Sequence, residues 1–164
     1  MTRILGIDPG LSNTGWSIIE STDSKISFIA SGTIVTTTEN TIAERLLSIY
    51  EKLSCVISEH LPTEAAIEDS FVNNNPLSSL KLGQARAAAI LATSAAKITI
   101  AEYAPKLIKK AVVGSGRAEK EQIIGMIKYL VPTATVKNDH EADALAIAIT
   151  HSNVAATLKR MSIS

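Results

Sequence analysis

Ile4-Leu5-Gly6-Ile7-Asp8-Pro9-Gly10, followed closely by Thr14-Gly15, is the stretch on which the reading of the chain turns. Apolar and small residues run straight into a carboxylate, and Pro9-Gly10 then supplies a turn, because proline presets φ and glycine tolerates positive values. The pattern predicts a strand with Asp8 at its tip. Thr14 to Glu20 resumes an extended pattern, as the return arm of a hairpin does. An acid in that place holds a metal or a phosphate, or simply forms an Asp-Pro-Gly turn.

Working outward, Lys25 to Val35 is rich in β-branched residues and predicts a third strand of an antiparallel meander, with Gly32 marking a bulge. Thr41 and Glu44 fit a capping box, and Ile42, Leu46, Ile49, Leu53, Val56 and His60 follow one face of a helix beside which Cys55 is expected to pack. Beyond Pro62, Ala65-Ala66-Ile67-Glu68 is a second short apolar run ending in an acid. Phe71 and an Asn73-Asn74-Asn75-Pro76 loop follow, then an alanine-rich helix from Leu77 to Ala96 and a strand from Lys97 to Tyr103. Strands alternating with helices predict parallel βαβ units, whose ligands gather at the carboxyl ends of strands, where Asp8 and Glu68 both lie.

The totals bound the function. With 164 residues and 46% hydrophobic content, the expectation is one domain over residues 1–164 with a sizeable core. Sixteen basic and sixteen acidic residues cancel, so attraction to nucleic acid must come from uneven placement. One such concentration exists: Lys106, Lys109, Lys110, Arg117 and Lys120 surround Gly114-Ser115-Gly116. It reads either as a solvated lysine-rich surface or as a phosphate-approaching loop, and its spacing matches neither a Walker loop nor a dinucleotide fingerprint. A lone cysteine and three histidines argue against a disulfide or a Cys/His zinc cluster, and no apolar run approaches the ~20 residues of a membrane span. A soluble cytoplasmic protein is expected.

A helix from about Ala118 to Leu130 is broken at Pro132, and the last helix starts near Asp139. His140 and Asp143, three apart, share a face of its first turn. Asp139 and Glu141 suit the helix dipole and need no further role, whereas Asp143 interrupts an Ala, Leu and Ile run where an unpaired charge is costly. His151 is expected at the surface or the helix end.

Taken in order, Leu5 to Gly10, Ile67-Glu68, Leu82-Gly83-Gln84-Ala85-Arg86, Val112 through Lys120 and Asp143 to His151 resemble the RuvC family of bacterial Holliday-junction resolvases over nearly the whole chain. The resemblance implies an α/β ribonuclease-H-like fold, a five-stranded mixed sheet flanked by helices, acting as a homodimer. It implies a divalent-metal-dependent endonuclease that cuts four-way junction DNA symmetrically and leaves 5′-phosphate and 3′-hydroxyl ends. Asp8, Glu68 and Asp143 take the places of family acids, and His140 stands where most relatives carry Asp. These four are the implied catalytic and metal-binding residues, holding two Mg²⁺ ions, with Mn²⁺ as a substitute that His140 would favour. Phe71, which otherwise reads as core packing, is carried over as a base-stacking residue. Lys109, Lys120 and Arg117 become phosphate contacts, while Gln84 and Arg86 read equally as DNA contacts or helix packing. Cooperation with the RuvA and RuvB branch-migration proteins is implied as well. The competing readings are a junction-binding protein with a decayed site, a YqgF-type nuclease acting on RNA, and an actin-like ATPase, which would need two such halves.

Overall fold

The computed structural model describes residues 1–22, 25–69 and 75–162. Five strands, β1 (Thr2–Asp8), β2 (Asn13–Ser21), β3 (Ile26–Val35), β4 (Glu64–Glu68) and β5 (Thr99–Tyr103), form one sheet in the order β3-β2-β1-β4-β5. The meander β1-β2-β3 is antiparallel, and β4 and β5 join parallel to β1. The register irregularity in β2–β3 falls at Ile18/Ile19, not at Gly32.

Alternation along each strand divides the core in two. Leu5, Ile7, Ile18, Ala65 and Ile67 face one side, packed by α1 (Ile42–His60) and α2 (Pro76–Ala95). Ile4, Ile19, Ala66 and Tyr103 face the other, packed by α3 (Pro105–Val113), α4 (Lys120–Leu130) and α5 (Asp139–Ser162). In β1 the second set continues through Gly6 to Asp8, so the strand's period of two aims Asp8 toward α5.

Local signals explain the helices. The Thr41/Glu44 capping box forms in both directions, and Ile49, Leu53, Val56 and Ile57 bury the expected face of α1. Cys55 is exposed, one position off that face, so the expectation that it packs is corrected. Asn75 caps α2 through Leu77 and Ser78 amides, and Ala85, Ala88, Ala89 and Ala92 permit close packing. Gly114, in the glycine loop, caps α3 in the left-handed region and its N–H donates to the Lys110 carbonyl. It serves the helix end, so phosphate approach is not needed to account for it.

Helix α5 is buried on all sides from Ala144 to Thr150, as an apolar helix wedged between a sheet and two helices must be. It lies almost on the backbone of β1 and β2. A Cβ placed on Gly6 would come 2.1 Å from the Ala144 carbonyl oxygen, and one on Gly15 would come 2.1 Å from the carbonyl oxygen of His140. These glycines set how near the helix comes. No helix among the described residues is long and apolar enough to cross a membrane.

Because Gly6 meets backbone and not a flexible side chain, Gly6→Ala should destabilise the protein by about 3 kcal/mol, the upper end for overpacking. Thermal unfolding should show a midpoint roughly 6–12 °C lower; an unchanged midpoint would mean that α5 sits farther from β1.

Candidate active site

Three elements place four side chains together at one end of the sheet. Asp8 ends β1 and Glu68 ends β4, and the parallel register Gly6↔Ala66, Ile7↔Ile67 puts the two acids side by side on the α5 face. The first turn of α5 faces them. His140 Nδ1 lies 3.1 Å from Asp8 Oδ2, directly beside Gly15, the β2 partner of Asp8. Asp143 borders a cleft of about 250 Å³ with Glu68, Lys109 and Lys120, over an apolar floor that includes Ile108, Ile123 and Ala146.

Electrostatics binds these groups into a unit. Burial pushes the Asp8 carboxyl from its ordinary 3.8 up to about 6, with the Asp143 charge adding to the rise and the His140 hydrogen bond opposing it. Burial, followed by the charges of Asp8 and Asp143, pushes Glu68 from 4.5 up to about 7 against the pull of Lys109. Asp143 is raised too, chiefly by burial, with Lys120 opposing. Without a cation each of these carboxylates holds its proton more tightly than an isolated one does. Among the described residues no three His, Cys, Asp or Glu side chains are already gathered as ligands of one ion. Glu68 and Asp143 at the cleft, together with Asp8, whose charge acts on Glu68, and its bonded His140, nevertheless form a donor set suited to divalent cations, whose charge would offset the repulsion among the acids.

The neighbours of the four clarify several sequence expectations. Lys120 Nζ lies 2.9 Å from Asp139 and 3.9 Å from Asp143, and the Asp139 hydrogen bond raises its pKa. Asp139 therefore has a partner on the cleft side, which its spacing of four from Asp143 would have revealed. Glu141, 3% exposed, accepts from Ser31 Oγ at 2.6 Å and from the Lys137 amide, anchoring the start of α5 to β3. Both acids thus have definite partners beyond the helix dipole. Arg86 pairs with Glu102, approaches Asp69 at 3.6 Å and donates to the Glu68 carbonyl at 3.1 Å, so it braces the end of β4 from α2. Lys109 lines the cleft, whereas Arg117 is exposed on the α3–α4 connection and does not. Phe71 lies outside the described residues. His151 is neither at the surface nor at the helix end: its side chain is 13% exposed in mid-α5, bonded to Tyr103 and Glu64.

A model of the family described as crossover junction endodeoxyribonuclease RuvC matches residues 4–151. The chain belongs to the RuvC family. The RuvC protein of Azorhizobium caulinodans is 50% identical over 153 residues, covering 93% of this chain and 90% of that one. That of Methylocella silvestris is 51% identical over 155 residues, covering 94% and 88%. Among solved structures, T. thermophilus RuvC in complex with Holliday junction substrate superposes with a TM-score of 0.91 at 27% identity, covering 96% of each chain. The five-stranded sheet and its helices are thus the RuvC form of the ribonuclease-H-like fold.

The raised acids carry a pH signature. Folded Asp8 and Glu68 bind protons more tightly than their unfolded counterparts, so their contribution is greatest below about pH 4 and is lost as pH rises through 6 to 7. Metal-free Asp8→Asn and Glu68→Gln proteins should therefore gain thermal stability relative to wild type as pH rises from 4.5 to 7.5. Parallel curves for wild type and variants would show that the acids are not strained by burial.

Proposed function

We propose that this RuvC-family chain is the nuclease that resolves four-way DNA junctions in recombination and repair, with Asp8, Glu68, His140 and Asp143 as its catalytic and metal-binding residues. The observation that carries the assignment of residues is the convergence of two strand-end acids with the first turn of α5, closed by the His140–Asp8 hydrogen bond. The chain is an endodeoxyribonuclease of a divalent-metal-dependent family, and Mg²⁺ is the proposed ion, with Mn²⁺ able to replace it. Two such ions, when bound, would lower the pKa of a water and stabilise charge on the leaving oxygen.

The side chains supply the rest. With Nδ1 turned to Asp8, the tautomer that donates Nδ1–H to the carboxylate would leave an acceptor lone pair on His140 Nε2, which could ligate an ion or take a proton from the attacking water. Asp8 holds that imidazole in orientation. Water attacks phosphorus in line, the bond from phosphorus to the 3′ oxygen breaks, and the ends are a 5′-phosphate and a 3′-hydroxyl. Lys109 and Lys120, cationic at the rim of the cleft, would hold flanking phosphates, with Arg117 reaching the backbone farther out. Phe71 would stack on an unpaired base at the crossover.

Symmetric cutting needs two sites, and a homodimer is the proposed assembly. Leu77, Leu80 and Leu91 are exposed along one side of α2 at helical spacing, an apolar stripe that supports such pairing. Among the described residues every element belongs to one sheet or to the helical layers on its two faces, which supports a single nuclease domain over residues 1–164. RuvA and RuvB are the proposed partners, and the cytoplasm, where chromosomal junctions arise, the proposed location. Family membership favours DNA junctions over the RNA substrates of a YqgF-type nuclease.

The test is a labelled synthetic four-way junction beside a matched linear duplex, in Mg²⁺, Mn²⁺ or chelator. Paired, ligatable nicks should appear on the junction only and vanish with chelator or in Asp8→Asn, and His140→Ala should lose roughly 10²-fold in rate. Tight junction binding without cleavage in either metal would instead mark a decayed site.

A further inference from the structure

Outside the cleft, a second polar chain crosses the α5 side of the sheet. The Tyr103 hydroxyl lies 2.7 Å from His151 Nδ1, and His151 Nε2 lies 2.7 Å from Glu64 Oε2. The rings of Tyr103 and His151 meet at 5.8 Å between centroids. Burial and the Glu64 charge push the Tyr103 hydroxyl up, so it keeps its proton and can donate to Nδ1, leaving Nε2–H to donate to the carboxylate. The nuclease reading uses none of these groups.

The contact of α5 with the sheet gives them a task. The line of α5 over β1 consists of Ala144 and Ala148 against Gly6, followed by Ser152, whose hydroxyl meets Ser21 at 2.6 Å. Such a line fixes how near the helix comes, but small side chains interlock weakly along its axis. Polar contacts at defined heights supply the missing constraint. His140 with Asp8, Glu141 with Ser31 and Ser152 with Ser21 tie α5 to β1, β3 and β2. His151 differs, because Glu64 and Tyr103 belong to β4 and β5, and β4 carries Glu68.

Glu64 and Glu68 mark the two ends of β4, four residues apart on one face, a span of about 13 Å. Asp143 and His151 are eight residues apart on α5, a rise of about 12 Å. The two spans match. A helix held at Glu64 through His151 therefore brings Asp143 level with Glu68. Tyr103 adds a tie at the cleft end, since its carbonyl accepts from the Asp69 amide at 2.8 Å, one residue beyond Glu68.

We infer that Tyr103, His151 and Glu64 are positioning residues that fix α5 along β4, and thereby the placement of Asp143 and His140 against Glu68 and Asp8. The inference rests on the proposed reading of those four as a metal site. The Glu64 side chain is 40% exposed, and a pair open to solvent in this way contributes about 1 kcal/mol or less, so stability alone is a weak account of the chain. Its directional bonds define one height for the helix.

The test compares Glu64→Ala, Glu64→Gln, His151→Ala and Tyr103→Phe with wild type. The readouts are Mn²⁺ affinity by electron paramagnetic resonance, the metal concentration for half-maximal junction cleavage, junction affinity in chelator and the thermal midpoint. Glu64→Ala and His151→Ala should weaken Mn²⁺ binding about tenfold, as loss of a group that orients a ligand does, with a matching rise in the metal needed for cleavage. Junction affinity in chelator should stay within about twofold, since phosphate contacts dominate it. Glu64→Gln, whose amide oxygen accepts the same bond, should remain near wild type, and Tyr103→Phe should fall between. Should His151→Ala fail to fold, the two Glu64 variants decide. Wild-type Mn²⁺ affinity in Glu64→Ala would overturn the inference, as would equal impairment of Glu64→Gln and Glu64→Ala. A wild-type protein that cuts no junction would refute the nuclease reading, while the Mn²⁺ affinities would still decide this one.

Discussion

The contact between the backbone of α5 and the two glycines beneath it, Gly6 on β1 and Gly15 on β2, is the constraint on which the rest depends. A helix normally packs on a sheet through side chains about a Leu or Ile deep. Here the Ala144 and His140 carbonyls occupy the space a Cβ would need. The approach brings the first turn of α5 down to the tips of β1 and β4. His140 consequently reaches Asp8, and Asp143 reaches the cleft that Glu68 borders. A larger residue at either glycine would lift the helix and open the cluster, whatever the identity of the acids.

Closeness has an electrostatic consequence. Burial raises the proton affinity of all three carboxylates, the Asp143 charge adds to the rise at Asp8 and Glu68 and the Asp8 charge to that at Glu68, while Lys120, Lys109 and the His140 hydrogen bond offset part of it. The remaining repulsion is what a divalent cation would neutralise. Lys120, beside both Asp139 and Asp143, connects the proposed metal site with the basic rim above it. Arg86 and Glu141 do quieter work, the first bracing β4 behind Glu68 and the second pinning the start of α5 to β3. Stability and the proposed chemistry are thus held by different residues on the same elements.

Much of this was legible in the order of residues. Apolar runs that end in Asp8 and Glu68, the Thr41/Glu44 box and the charge at Asp143 within an alanine-rich helix each have a local physical meaning, and the elements formed accordingly. The five-stranded mixed sheet came from the family resemblance, whereas strand order and the side of the sheet taken by each helix were not legible, because periodicity does not encode them. The roles of Gly6 and Gly15 were hidden, since a glycine in a strand reads only as a weak strand former until the helix above it is known. His151 was misplaced for a similar reason: a histidine after an apolar run suggests a helix end, but α5 continues to Ser162 and the partners come from β4 and β5. Asp139 was set aside because it suits the helix dipole; its spacing of four from Asp143 was the informative feature.

The central claim is that the glycine contact with α5 assembles the proposed metal site. Titration of Mn²⁺ into wild-type and Gly15→Ala protein, followed by electron paramagnetic resonance with folding checked by circular dichroism, tests it most directly. A folded Gly15→Ala protein should bind Mn²⁺ about tenfold or more weakly, because His140 and Asp143 would be lifted from Asp8 and Glu68. Equal affinity in the two proteins would contradict the account and place the ion elsewhere.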